Sequence, residues 1–297
     1  MSYEDPFEEN GELMLQWQRH DPEQKIGFKG GRYTAPNKLL AMIIACFVTV
    51  LFFVSLVLVS NGWDEAKPYA QIFMERGPTQ YVASLFFFWA LAMLWIKSRK
   101  LIFQKKAFDV AIMPDDPGFS LSPETAREVL RRLHQAVDHS GQFAVLNRIE
   151  RALSNLDNIG HTADVTAILK IQSENDESQV ASSYSIINGL MWAIPVLGFI
   201  GTVLGLSKSI GAFGTTLAAD GDLDGIKDSL TVVTSGLSTA FDTTLVALVM
   251  ALILQIIASF LQSRESDWLD SCNEYCNRMI AGRLRLRPGA DDIDMDS

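Results

Sequence analysis

The chain has 297 residues, of which 48% are hydrophobic and 20% are charged, and its net charge is -10. This acidic balance argues against nucleic-acid binding, because phosphates are held by a basic surface. The averages also conceal long apolar blocks that alternate with charged segments, as a bilayer requires, and this segregation argues against an ordinary soluble protein.

Four blocks are long and apolar enough to cross a bilayer, since a spanning helix needs ~20 mostly apolar residues. The first block covers residues 39–59 and carries no charge. The second, at about 81–96, is short and reaches the required length only if residues 78–80 join it. The third covers about 186–206, and the fourth lies within 230–261. The sequence therefore predicts an all-α integral membrane protein with four transmembrane helices and a helical cytoplasmic insertion between helices two and three.

Lysine and arginine residues are concentrated before the first block, after the second and after the fourth. Basic residues of short loops stay on the cytoplasmic side, so these three segments and both termini are predicted to be cytoplasmic. The predicted segments are a cytoplasmic N-terminal tail (1–37), a transmembrane hairpin (38–96), a helical cytoplasmic domain (97–184), a second pair of spans (185–262) and a cytoplasmic C-terminal tail (263–297).

The cytoplasmic domain is predicted to begin its helices at Ser122. Ser122 and Pro123 have the chemistry of an N-cap followed by proline at the first helical position, and Gly141 can end this helix after about Ser140. Its apolar stripe is predicted at Leu130, Leu133 and Val137.

Two further helices are predicted in this domain. The first covers residues 143–158, with Gly160 after its end. Its apolar side chains recur at helical spacing, at Leu146, Ile149, Leu153 and Leu156. The other begins near Thr162 and meets no proline or glycine before Gly189, so we expect it to run into the third span as one rod.

The third span contains a strip of small residues. Gly198, Gly201, Thr202 and Gly205 recur at intervals of three and four, so they share one helix face and let a neighbouring helix approach closely. Pro195 lacks an N–H group and is expected to kink the helix. Helix packing alone and a role in shaping a pore are both open for the glycines, whereas Thr202 is the stronger functional candidate.

The fourth span contains Asp242, the one ionisable side chain clearly inside an apolar block. Placing a carboxylate there costs about 2.5–3.5 kcal/mol on insertion scales, and such residues usually mark an ion path. Ser238 or Thr239, one turn earlier, can lower this cost by hydrogen bonding. Because the block is longer than a bilayer needs, two positions stay open for Asp242: the midplane, or the periplasmic mouth, where it is merely a solvated carboxylate.

The faces of the fourth span separate its polar side chains. Thr244 shares a face with Ala240 and Ala247, whereas Asp242 lies about 200° away around the helix. One face is expected to line a pore and the other to meet a neighbour. The candidate ion-pathway residues are Thr202, Thr239, Asp242, Thr243 and Thr244.

These two spans resemble the MotA/TolQ/ExbB proton-channel family. Residues 195–205 are similar to its helix with a proline, small residues and a Gly-Thr-Val-x-Gly core. Residues 238–248 are similar to its last helix, which carries an Ala-Thr pair and small residues, and the likeness extends over residues 183–262. By this resemblance Thr202 and Thr244 match the threonines that face the ion route, and Pro195 matches the proline of the pore helix.

The resemblance implies a channel-forming subunit of an ion-driven motor or energy-transducing complex in the bacterial inner membrane, with residues 185–262 as the channel domain. It implies a homopentamer around a dimer of a MotB/TolR/ExbD-like single-span subunit that supplies an essential membrane aspartate. No cofactor is implied beyond the transported H⁺ or Na⁺. Asp242 is a departure, because the TolQ and ExbB branches usually have an apolar or small residue there. It is expected to tune the ion path or to pair across subunits.

Two other functions remain open. A stand-alone channel or transporter would use Asp242 as its own ion site, and a membrane scaffold or sensor would bind a cytoplasmic protein through the helical insertion. An enzyme is not expected, because the four histidines fall in soluble segments and form no set with a nucleophile. A metal site is not expected either, since Cys272 and Cys276 have no ligand histidine nearby.

Overall fold

A computed structural model of the chain describes residues 15–28, 30–64, 67–74, 76–110, 119–154, 156, 162–218 and 223–284. Within these ranges the chain forms α-helices, short 3-10 turns and isolated bridges, and no sheet. The predicted all-α class is confirmed. The α-helices are α1 (Trp17–His20), α2 (Lys38–Gly62), α3 (Lys67–Met74), α4 (Pro78–Lys105), α5 (Pro123–Ala136), α6 (Ala144–Ser154), α7 (Thr162–Ser183), α8 (Ser185–Ala218) and α9 (Leu223–Met279).

Four helical stretches of the described chain are long and apolar enough to cross a membrane. They contain α2, α4, α8 and α9, and each includes one of the four predicted blocks. α4 begins at Pro78, so the short second block does gain the residues that it needs to span. α9 has 57 residues and α8 has 34, so both extend well beyond the length of a single membrane crossing.

The start of α5 follows the prediction, but its end does not. The Ser122 hydroxyl accepts a hydrogen bond from the Thr125 amide, and the Thr125 hydroxyl in turn accepts one from the Ser122 amide, which completes a capping box. The helix ends at Ala136, four residues before the predicted end, because Val137 adopts an extended conformation and pairs with Leu15. The buried face is Ala126, Val129, Leu133 and Ala136, while Leu130 is only half-buried.

The next two helices also differ from the prediction at their ends. α6 ends at Ser154, and the predicted continuation to residue 158 and Gly160 lies outside the described residues. Its predicted apolar side chains are all buried: Leu146, Ile149, Leu153 and Leu156. The expected rod through the third span is interrupted at one residue only, Tyr184, which separates α7 from α8, and the stretch Asp164–Gly214 is otherwise helical. The hydroxyls of Ser182 and Ser183 donate to the carbonyls of Gln179 and Val180 in the last turn of α7.

The chain divides into two compact units, each assembled from separated stretches of sequence. One consists of the described residues of Met1–Asn37, Ile96–Ser183 and Gln262–Ser297, and we call it the helical unit. The other consists of Lys38–Trp95 and Tyr184–Leu261, and we call it the membrane unit because it holds the apolar spans.

The helical unit includes part of the segment that was predicted as an N-terminal tail. Trp17 is 1% exposed and packs between the rings of Phe103 and Phe143. The Tyr33 hydroxyl donates to Asp176 of α7 over 2.9 Å. Leu15, Trp17 and Tyr33 therefore belong to the buried core of this unit, which composition and charge alone did not indicate.

Candidate functional site

The site lies within the membrane unit, where α8 and α9 pack through small residues. A methyl group on Gly198 would lie 2.6 Å from the Ala247 Cβ atom, which is too close for an unstrained contact. A methyl group on Gly201 would lie 3.0 Å from the Thr243 hydroxyl, and one on Gly205 would lie 3.3 Å from a backbone carbonyl of α9. All three glycines of the predicted strip therefore face α9, and their lack of side chains permits the close approach of the two backbones.

Thr202 and Thr244 meet in this interface, and their hydroxyl groups are hydrogen-bonded to each other. Each also reaches backbone carbonyls. The Thr202 hydroxyl lies 3.2 Å from the Gly198 carbonyl and 3.1 Å from the Ala240 carbonyl, and the Thr244 hydroxyl lies 3.2 Å from the Gly198 carbonyl. Because a hydroxyl has a single proton to donate, these contacts are alternatives, and the pair can exchange one hydrogen-bonding pattern for another.

The pair is suited to contact with a passing ion or a guest side chain. Both threonines are half-buried, so the interface does not enclose them fully. A hydroxyl oxygen can accept a hydrogen bond from a protonated group, or it can replace a water molecule around a partly dehydrated cation. The structure thus brings together two of the five candidate ion-pathway residues, at the point where the helices are packed through Gly198.

Thr243 has a different environment from its neighbour Thr244. Its side chain is 0% exposed, and its hydroxyl donates to the Ala240 carbonyl over 3.0 Å. It lies against Gly201, beside the Thr79 hydroxyl from the start of α4. Thr243 therefore contributes to packing between α4, α8 and α9.

Asp242 pairs with Arg76, which precedes α4. The guanidinium Nη2 lies 2.8 Å from the Asp242 carboxylate, and Nη1 donates to the Thr239 hydroxyl over 2.9 Å. Thr239 was predicted to stabilise Asp242 directly, but it binds Arg76, the ion-pair partner of Asp242. The Thr239 hydroxyl also lies 3.0 Å from the Ser235 carbonyl. Sequence reasoning missed Arg76, because a lone arginine in a loop carries no signal of the helix it will contact.

Four of the five candidate ion-pathway residues thus fall into two separate groups, each of which includes residues of α9. One is the hydroxyl pair of Thr202 and Thr244, and the other is the cluster of Arg76, Thr239 and Asp242. Pro195 lies inside α8, upstream of Gly198, and the helix continues through it. The kink predicted at Pro195 stays a prediction.

Comparison with protein families matches residues 142–273 to the MotA/TolQ/ExbB proton channel family. This part of the chain belongs to that family. The comparisons with curated proteins and with solved structures find no match. The family is one of proton channels, and the four long apolar helices of the described chain are those of a multi-pass membrane protein.

The MotA/TolQ/ExbB match includes all of α8, most of α9 and, with them, the glycine strip and the threonine pair. It does not include α2, α3 or the start of α4. Asp242 therefore lies inside the matched region, while its ion-pair partner Arg76 lies outside it.

Proposed function

We propose that this chain is the channel-forming subunit of an ion-driven motor or energy-transducing complex, and that it works with a single-span partner subunit. The observation that carries the proposal is the hydroxyl pair of Thr202 and Thr244, set between two glycine-packed helices of the family region. Such a pair offers polar oxygen atoms in an otherwise apolar interface, which is what a dehydrated ion or a protonated side chain needs in order to pass.

The chemistry of the site calls for a titrating group from another chain. A threonine hydroxyl is neutral at physiological pH, so it can relay a hydrogen bond but cannot store a proton. Asp242 is the only carboxylate in the apolar parts of the four described spans, and it is occupied by Arg76. A MotB/TolR/ExbD-like dimer with a membrane aspartate would supply the missing group.

The surface of α8 and α9 supports assembly with further helices. Trp192, Phe199 and Phe241 are 75%, 64% and 64% exposed, and lipid or other subunits must cover them in a membrane. We propose five copies of the chain around two partner helices in the bacterial inner membrane, with both termini in the cytoplasm. The transported ion is H⁺ or Na⁺, since a hydroxyl oxygen can take part in proton transfer and can also coordinate a sodium ion.

The test is to replace Thr202 by valine, which keeps the shape of the side chain and removes its hydroxyl. The tagged chain is purified from membranes with its co-purifying subunit, its stoichiometry is measured by native mass spectrometry, and H⁺ and Na⁺ fluxes are recorded in proteoliposomes. We expect Thr202→Val to lower flux per complex at least ~10-fold, the effect of ~1.4 kcal/mol on a barrier. Thr202→Ser, which keeps the hydroxyl, should retain most of the flux.

Three results would contradict the proposal: full flux in Thr202→Val, a complex with a single copy of the chain, or equal flux from the chain without any partner. The last result would instead favour a stand-alone channel. Unchanged assembly in both Thr202 variants is the internal control, because it separates loss of the ion route from loss of the complex.

A further inference from the structure

Asp242 is the residue whose expected role the structure changes most. We propose that Arg76 and Asp242 form an electrostatic tether that positions the threonine-bearing turn of α9, and that Asp242 is a positioning residue instead of an ion-binding one. The effect on ion flux rests on the function proposed above, whereas the tether itself does not.

The tether has two contacts from one guanidinium group. Arg76 binds Asp242 over 2.8 Å and Thr239 over 2.9 Å, and these two residues are three apart on α9. Residues at this spacing lie on the same helix face, so the planar guanidinium group spans one turn of α9. Thr243 and Thr244 immediately follow Asp242, so the turn that is held is the one that carries the hydroxyl pair.

Arg76 is followed directly by a hydrogen-bonded turn. Gly77, the next residue, has a φ of 100°, a conformation that residues with a side chain rarely adopt, and its carbonyl accepts a hydrogen bond from the Gln80 amide. Two residues further on, Thr79 lies against Gly201 at the contact with Thr243. The start of α4 therefore meets α8 and α9 at two points, a packing contact of Thr79 against Gly201 and an ionic contact of Arg76 with Asp242.

The geometry disfavours ion binding at Asp242. An arriving cation would have to displace a guanidinium group that also binds Thr239, and the arginine would then lose both partners. Asp242 is also about 200° around the helix from Thr244, so the carboxylate does not point toward the hydroxyl pair. No other carboxylate lies in the apolar part of α9.

The depth of the pair agrees with a tether at the edge of the membrane. Thr79, Gly201 and Thr243 meet at one level. From that level α4, α8 and α9 each continue for about 17 residues to the end of the membrane unit at Trp95, Tyr184 and Leu261. At 1.5 Å per residue this is a distance of ~25 Å. A hydrocarbon layer is ~30 Å thick, so this level lies near one of its surfaces. Of the two positions that the sequence left open for Asp242, the periplasmic mouth therefore fits better than the midplane. A charged side chain also costs less free energy at the mouth.

The experiment is a double-mutant cycle on the complex purified with its partner. Its variants are Arg76→Gln, Asp242→Asn, the two combined, and the charge swap Arg76→Asp with Asp242→Arg. Assembly, the thermal unfolding midpoint and flux per assembled complex are measured for each. Each single variant leaves one charge without its partner, so we expect a lower midpoint and at least a ~5-fold lower flux per complex. The swap should bring flux back to within about twofold of the parent chain.

An ion-binding Asp242 predicts a different pattern. Asp242→Asn, the double variant and the swap would all abolish flux, while Arg76→Gln would retain it, and this result would overturn the proposal. Lys67→Gln is the matched control, since Lys67 forms an exposed pair with Asp64 that should contribute little to stability.

The two proposals fail in distinguishable ways. If the parent complex carries no ion flux, the function proposed above is wrong, but the unfolding midpoints still test the tether. Midpoint changes that simply add in the double variant would show that Arg76 and Asp242 do not interact, and the tether would then be rejected.

Discussion

Gly198 shows what the contact between α8 and α9 demands of a single residue. Its missing side chain leaves room for Ala247, and a methyl group in its place would also lie 3.3 Å from the Thr243 carbonyl and the Thr244 Cα atom. Two of these three neighbours are backbone atoms, which cannot rotate away. We expect Gly198→Ala to destabilise the complex by about 1–3 kcal/mol through overpacking.

Gly189 provides the matched control for that substitution. It lies on the same helix, but a methyl group there meets no atom within 4 Å apart from the adjacent residues and the backbone of its own helix. Gly189→Ala should therefore be neutral, or stabilising by about 0.5–1 kcal/mol through helix propensity. Thermal unfolding in detergent and the fraction of assembled complex measure both variants, and equal effects at the two positions would refute the packing argument.

The residues of the site differ in how far the sequence predicts them. Thr202 and the glycines of α8 recur at a helical spacing that predicts their shared face, since spacing depends only on the helix period. The ion pair of Asp242 and Arg76 could not be predicted in this way, because the two residues are far apart in the sequence and only the packed fold decides which loop meets α9.

At the scale of the element, residues 15–28 and 30–37 form a structured segment whose acidic side chains lie beside Lys100. The Lys100 ammonium group lies 2.5 Å from the Glu23 carboxylate and 3.9 Å from the Asp21 carboxylate. Glu23 also accepts hydrogen bonds from the amides of Gly31 and Asn37, whereas Asp21 Oδ2 is buried without a hydrogen-bond partner. Burial raises the pKa of Asp21, and the attraction of Lys100 offsets this only in part.

This difference predicts opposite effects for two neighbouring acids. Because the pKa of Asp21 is raised on folding, its contribution to stability is present in acid and is lost as the pH rises through the folded-state pKa. Asp21→Asn should therefore raise the unfolding midpoint at neutral pH, with a smaller gain in acid. Glu23→Gln should lower the free energy of unfolding by about 3 kcal/mol, and with it the unfolding midpoint, because it breaks a buried ion pair. Thermal unfolding between pH 5 and 8 tests both, and a destabilised Asp21→Asn variant would contradict the argument.

Helix ends show where prediction from local sequence stops. The start of α5 is set by Ser122 and Thr125, which are neighbours in sequence, and the N-cap chemistry predicts it. Its end is set by the pairing of Val137 with Leu15, a residue far away in the chain, and so it falls four residues early. Local capping signals are readable from sequence, whereas an end imposed by a distant segment is not.

At the scale of the whole molecule, the sequence predicts the spans but not the grouping of the segments around them. Apolar runs identify α2, α4, α8 and α9, because the bilayer imposes their length and composition. The helical unit, by contrast, is assembled from three separated stretches, and helical periodicity within one stretch does not indicate which other stretch it will meet. Tyr33, Arg148 and Asp176 come from different stretches or helices and meet only in the folded unit.

Asp176 provides a test of how strongly this grouping depends on buried polar contacts. Its carboxylate binds Arg148 over 2.6 Å and also accepts hydrogen bonds from Tyr33 and Gln172, all within the core of the helical unit. Asp176→Ala leaves a buried guanidinium group without its counter-charge, so we expect a loss of about 3–5 kcal/mol. Glu177→Ala, its exposed neighbour on α7, should cost less than about 0.5 kcal/mol. Limited proteolysis of the full chain measures both: Asp176→Ala should expose the helical unit to cleavage at protease concentrations that leave Glu177→Ala intact. Equal protection of the two variants would mean that apolar packing alone holds the three stretches together.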